Sequence, residues 1–232
     1  MQSHIDHLVV AARTLAQGVQ WCEDRFGITP GPGGQHALFG THNRLFKVAT
    51  PGFPWAYLEI IAIDPLAAAP PGPRWFDLDD ARLQAAVAQE PRLVHWVANT
   101  PDIHKARTEL AGLQLDRGPV LAASRESARG RQDWQITVRD DGQRLLDGTL
   151  PTLIQWGRPG DDDPLRLHPR NTLPRSRVSL RGLVLAHPLA NRLQAALDAI
   201  GLQGVTVQAG APDLTAVLRT PKGEVTLRSS GV

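Results

Sequence analysis

Glu59 is the residue with the most chemistry to explain. It stands in the apolar run AYLEIIAI, where an ionised carboxylate is costly unless it is paired or binds a metal. His95, in RLVHWVANT, lies in a second such run with Leu93 and Val97 on its face. His7 begins a third, HLVVAA, and Gln155 belongs to a fourth, LPTLIQWG. Two imidazoles, a carboxylate and an amide oxygen suit a borderline or hard divalent ion such as Zn, Mn, Ni, Co or Fe, with positions left for water or substrate. Plainer readings stand beside this one. A single His in a strand is more often a hydrogen-bonded core residue than a ligand, and Glu59 could pair with Arg44 and serve packing alone.

The elements that must position these residues repeat. HIDHLVVAA reads as a strand, and TLAQGVQWCEDRFG as a helix with Leu15, Val19, Cys22 and Phe26 on one face. Thr14 is its expected N-cap and Gly27 its stop. HALFG, NRLFKVA and AYLEIIAI follow as strands. The order is β-α-β-β-β. A connecting helix over residues 79–90 leads to a second copy: strand RLVHWVANT, helix PDIHKARTELAGL capped at Asn99 or Thr100, then strands around GPVLAAS, DWQITVR and LPTLIQWG. SLRGLVLAHP, LANRLQAALDAIGL, GVTVQA, LTAVLRT and GEVTLRS make a third. Two Pro, Gly and Asp-rich stretches, 69–80 and 156–176, separate the copies. The expected units are 1–68, 77–158 and 176–232, and the fold class is α+β, with two βαβββ modules paired and a third added.

Superposing the copies places His7 on His95 and Glu59 on Gln155. Alternation puts Ile5, His7, Val9 and Ala11 on one face of the first strand, and Tyr57, Glu59, Ile61 and Ile63 on one face of the fourth. Pairing the two modules about a pseudo-twofold axis would bring His7, Glu59, His95 and Gln155 together. The third copy has Gly182 at the His position and carries no ligand set.

This arrangement resembles the vicinal oxygen chelate superfamily, and IDHLVVA with YLEIIAID resembles its glyoxalase-like branch. GGQHALFGTHNRLFKV and PTLIQWGRP fit the same pattern, so the resemblance covers roughly residues 4–160. It implies a half-open barrel of paired modules and metal ligands from the first and last strand of each, here His7, Glu59, His95 and Gln155. In lactoylglutathione lyase-like members the last of these is a glutamate that also moves the substrate proton. An amide cannot act as a general base. Gln155 therefore argues against that activity, and by pseudo-symmetry the base role falls to Glu59.

Other polar residues are candidates for shaping a pocket. Asn43 and Arg44 follow the HALFGTH turn, which His36 and His42 flank, and Arg125 and Trp134 lie in the second copy's middle strands. An arginine there could clamp a carboxylate or phosphate. Arg129, in the charged stretch SRESARGRQD, reads better as solvated loop. His168 and His187 read as surface or loop residues, Cys22 as a buried inert thiol, and Trp55, Trp75, Trp96 and Trp156 as packing.

Composition narrows the field. The chain has 232 residues, 42% hydrophobic and 21% charged, with a formal net charge of +2. So small a charge, with no Lys/Arg run, argues against nucleic acid as partner. No stretch has the length of a membrane span, the start does not read as a signal peptide, and cytoplasm is the default. A single cysteine excludes an internal disulfide. The leading expectation is a metal-dependent isomerase or lyase acting on a small carbonyl compound or hydroxy acid. A non-catalytic sequestering protein of the same fold is the alternative, and an extradiol-type dioxygenase a further one. The third copy's unpaired sheet could be covered in a homodimer.

Overall fold

The computed structural model describes residues 1–229 apart from 128 and 159. The first run comprises β1 (His4–Ala11), α1 (Leu15–Phe26), β2 (Gln35–His36), β3 (Thr41–Lys47) and β4 (Tyr57–Ile63). After α2 (Ala81–Gln89), the second comprises β5 (Arg92–Asn99), α3 (Ile103–Gly112), β6 (Val120–Ser127), β7 (Gly130–Thr137) and β8 (Thr152–Trp156). A one-turn helix, α4 (Pro169–Thr172), precedes the third: β9 (Ser179–Ala186), α5 (Ala190–Ala199), β10 (Thr206–Gln208), β11 (Asp213–Thr220) and β12 (Gly223–Arg228).

Local chemistry sets the helix ends. Thr14 accepts the Gln17 N–H at the start of α1, and Gly27 ends it in the left-handed region at φ 72°. Asp102 caps α3 by accepting from Lys105, so the cap falls beyond Asn99 and Thr100, where the sequence pointed. HALFG is a turn rather than a strand; pairing in this stretch is confined to Gln35 and His36. Gly18, mid-helix in α1, lies so close to Ile60 that a Cβ there would meet its side chain at 2.4 Å. That contact seats α1 against β4.

The first two runs share one eight-stranded curled sheet, ordered β2-β3-β4-β1-β5-β8-β7-β6. Its centre is an antiparallel pairing of β1 with β5, with β4 and β8 flanking them in parallel. The sheet is a half-barrel, closed at its middle and open between its edge strands β2 and β6. Along the central strands, alternate residues face opposite ways. Leu8, Val10, Leu58, Ile60, Leu93, Trp96 and Leu153 face the helices. Val9, Ile61, Val97, Ile136 and Ile154 face the concave side.

The third run forms a separate sheet, β10-β9-β11-β12. Leu180, Leu183, Leu185, Leu214, Ala216 and Leu218 line one face of it, and they join the same apolar core as Trp21, Phe26, Trp96 and Leu110. The face that the sequence left uncovered is thus buried within the chain, which removes that argument for pairing with a second copy. No helix among the described residues is long and apolar enough to cross a membrane.

Candidate functional site

The concave side of the first run holds a chain of buried polar groups. It begins with an irregularity. The β1–β5 register slips between Ile5 and His7, so Asp6 and His7 do not alternate normally. Asp6 is fully buried beside His7, and its carboxylate takes three hydrogen bonds: from His7 Nδ1 at 2.6 Å, Trp156 Nε1 at 2.8 Å and His168 Nε2 at 3.0 Å. Burial opposes the charge on Asp6, but the pull of His168 and of His7 holds its carboxyl well below the usual range.

His7 links this carboxylate to the next. Its Nε2 lies 3.5 Å from Glu59 Oε2, and its ring stacks on Tyr57 at 4.6 Å. Burial works against a charged imidazole, yet hydrogen bonds to Asp6 and Glu59 and their charges raise His7 to about 9. His7 is therefore a cation at neutral pH. Glu59 is also buried, and hydrogen bonds from His7 and Asn43 keep it ionised against that burial.

Asn43 fixes the other oxygen of Glu59. Its Nδ2 donates to Glu59 Oε1 at 2.6 Å and lies 3.2 Å from His36 Nε2, while its Oδ1 accepts the Gly34 N–H at 2.8 Å. The chain must pass very close for this. A Cβ on Gly33 would lie 2.0 Å from the Asn43 carbonyl oxygen, so the residue there has to be glycine. His36 pairs through Nδ1 with Thr41 Oγ1 at 3.0 Å, and burial pushes it down to about 4. His36 is neutral beside a charged His7.

These groups border a small chamber of about 30 Å³, walled by His7, His36, Asn43, Tyr57, Glu59 and Arg125, with aromatic and aliphatic side chains, Trp75, Trp134 and Trp156 among them, around the rest. Arg125 donates from Nε to Gln132 at 2.7 Å. His36 and Trp134 also line an outer cleft of about 360 Å³, bounded by Gln35–Phe39 on one side and Ala122–Ser124 on the other. That cleft lies between the two edge strands of the half-barrel.

Of the expected residues, His7, Glu59, Asn43, His36, Arg125 and Trp134 meet at the chamber, and Arg44, His95 and Gln155 do not. Arg44 is exposed on the other face of β3. Gln155 faces the helices, where its Oε1 accepts the Ile103 N–H at 2.8 Å and caps α3. His95 is fully buried, with both ring nitrogens engaged: Nδ1 with Gly148 O at 3.0 Å, and Nε2 with the Thr152 N–H at 3.2 Å and Thr152 Oγ1 at 3.0 Å. Burial, with Arg117 and Arg144 nearby, lowers His95 well below the ordinary histidine value. The strand ladders explain the misplacement of Gln155. Glu59 pairs with Val9, two residues beyond His7, and Thr152 pairs with Val97, two residues beyond His95. The counterpart of Glu59 is therefore Thr152, and the superposition by sequence was three residues out.

The expected metal set does not fit this arrangement. His95 Nε2 is taken up by the Thr152 N–H and Oγ1, and Gln155 points away to cap α3, so two of the four expected ligands do not reach the others. The two-His, one-Glu triad of an extradiol-type site does not assemble either. Among the described residues, no group of three or more His, Cys, Asp and Glu side chains is placed to hold a metal ion.

Sequence reasoning missed Asp6 and His168. Alternation placed Asp6 on the face opposite His7, and only the bulge brings the two together. His168, which read as a loop residue, is fully buried, with its Nδ1 accepting the Arg170 N–H. A second carboxylate in the apolar run HIDHLVV was the available signal for Asp6.

Comparison with known proteins places the architecture. A family model described as a glyoxalase-like domain matches residues 5–201. Among solved structures, a hypothetical protein from Staphylococcus aureus shares 16% identity at a TM-score of 0.56, over 97% of this chain and 85% of its own. Methylmalonyl-CoA epimerase from Streptomyces coelicolor shares 14% identity at a TM-score of 0.40, over 67% of this chain and 98% of its own. The Mycobacterium tuberculosis methylmalonyl-CoA epimerase shares 15% at 0.35, over 66% and 85%. At these identities the first likeness speaks for the fold alone, and the two epimerase scores are too low to argue from. No curated protein matches the chain.

Proposed function

The chain belongs to the glyoxalase-like domain family of the vicinal oxygen chelate superfamily, and on that premise we propose that it moves a proton on a small carbonyl compound or hydroxy acid held at the chamber. The observation that carries this reading is the facing pair. Glu59 Oε2, a buried and ionised acceptor, lies 3.5 Å from the protonated Nε2 of His7, and Asn43 and Asp6 hold the two from behind.

Glu59 serves as the base and His7 as the acid. A substrate whose carbonyl oxygen reaches His7 Nε2 presents its adjacent C–H to Glu59. The proton leaves carbon for Glu59, and the developing enolate oxygen takes the proton of His7, giving an enol. As His7 loses its charge, Glu59 loses the cation that depresses its basicity, so each transfer assists the other. Returning the proton to the other face or the neighbouring carbon completes an isomerisation, with no redox change. Asp6 keeps His7 oriented and restores its proton affinity. Arg125 is placed to hold an anionic group of the substrate. A chamber of about 30 Å³ admits only the reacting end, and the remainder occupies the outer cleft.

The test is proton exchange in D2O. Small ketones, hydroxyaldehydes and hydroxy acids are incubated with the protein, and loss of the signal at the carbon beside the carbonyl or carboxyl is followed by NMR. Exchange is expected with wild type and should fall by about 10²–10⁴-fold in Glu59→Gln. Saturable binding of these compounds with no exchange would overturn the catalytic role and favour the sequestering reading.

A further inference from the structure

The second half of the half-barrel has its own buried polar cluster, centred on an arginine whose nearest carboxylates, Asp116 and Asp141, act on it only at longer range. Arg117, in the loop after α3, is 2% exposed. Its Nη2 donates to Thr152 Oγ1, but Nε and Nη1 have no partner. The indole Nε1 of Trp75 is likewise buried and unpartnered. Both residues line one small cavity of about 10 Å³, together with Phe76, Thr137, Arg139 and Thr152. The neighbouring cations are already neutralised: Arg139 by Asp141, and Arg144 by Asp77. Among the described residues, no carboxylate lies within ion-pair distance of Arg117.

We propose that this cavity is a binding site for a monovalent inorganic anion of chloride size, held by the guanidinium of Arg117 and the indole N–H of Trp75. Three features select that ligand. The orphaned atoms are all donors, and neither guanidinium nor indole can accept, so the occupant must be an acceptor. A water would satisfy hydrogen bonds but leave the buried guanidinium with no counter-charge in contact with it, which is the costly situation. The volume holds about one water-sized sphere, too little for phosphate or an organic carboxylate. Burial pushes the guanidinium down to about 9, so it remains charged at neutral pH.

The pseudo-symmetry gives the site its logic. In the first half, the ladder position two residues beyond the histidine carries Glu59, and the chain supplies its own negative charge. In the second half the same position carries Thr152, with the cation of Arg117 behind it. An anion from solution takes the place of the missing carboxylate. The site shares the Trp75 ring with the wall of the Glu59 chamber but none of the proton-transfer residues, so its test reads stability and diffraction, not activity.

Crystals soaked in sodium bromide and measured at the bromine absorption edge should show an anomalous peak within hydrogen-bonding reach of Arg117 Nε or Nη1. In solution, replacing gluconate by chloride or bromide at constant ionic strength should raise the melting midpoint saturably by about 3–5 °C. In Arg117→Met the peak and the shift should both vanish. A wild-type crystal with no bromide at Arg117, or an unchanged midpoint in chloride, would overturn the proposal even if the variant failed to fold.

Discussion

At the residue level, the site is a histidine held charged between two carboxylates, Asp6 and Glu59. The pH dependence of stability follows. The folded value of His7, about 9, lies above its ordinary 6.5, so its contribution is full below about pH 6.5 and is lost as pH rises through 9. Asp6 and Glu59 lie below their ordinary values, so theirs is full above about pH 4.5 and is lost as pH falls. Urea midpoints should therefore form a plateau between these limits and fall on both sides. Asp6→Asn should lower stability by about 3–5 kcal/mol near neutrality and flatten the alkaline limb, because the positive charge on His7 loses its closer partner. An alkaline limb unchanged by the substitution would show that Asp6 does not hold the proton on His7. Much of this cluster was legible in the sequence, since a carboxylate in an apolar strand demands a partner. Asp6 was not, because a bulge breaks the alternation on which the facing of residues was read.

At the level of the elements, their order along the chain and the helix positions followed from periodicity and from turn residues, HALFG excepted. The runs are bounded by Gly and Pro, and apart from HALFG, where pairing is confined to Gln35 and His36, they fold as the pattern implies. Register was harder. Placing Gln155 over Glu59 required matching two strand ends across a chain with different loop lengths, and the side-chain period of two punishes any odd slip by reversing the face. Slipped by three, Gln155 caps α3 instead of entering the site. The substitution Gln155→Leu should thus cost about 0.5–2 kcal/mol of stability through the lost cap and leave proton exchange at the chamber unchanged. Denaturation and the D2O assay read the two effects separately. A loss of exchange comparable to that of Glu59→Gln would return Gln155 to the site.

At the scale of the molecule, one apolar core runs through both sheets. Leu214, fully buried in β11, belongs to the same cluster as Leu8 and Trp96 in the half-barrel. Leu214→Ala should cost about 2–5 kcal/mol and shift a single cooperative transition. Tryptophan fluorescence, which reports mainly on the half-barrel, and far-UV circular dichroism should move together. Two separated transitions would mean that the second sheet folds independently. The third run was visible in sequence as a repetition without the ligand residues. Its burial against the helix side of the half-barrel was not visible, because periodicity marks an apolar face without naming what covers it.

The proposed chemistry needs His7 to be an imidazolium between Asp6 and Glu59, facing a chamber where its proton can be given to a ligand. NMR titration of the histidine ring nitrogens, assigned by a His7→Gln variant, tests it most directly. The expected result is a His7 ring protonated on both nitrogens through neutrality and titrating near 9, with His36 neutral down to about 4. A His7 ring already neutral at pH 7, or titrating with an ordinary value, would mean that Asp6 and Glu59 do not hold its second proton.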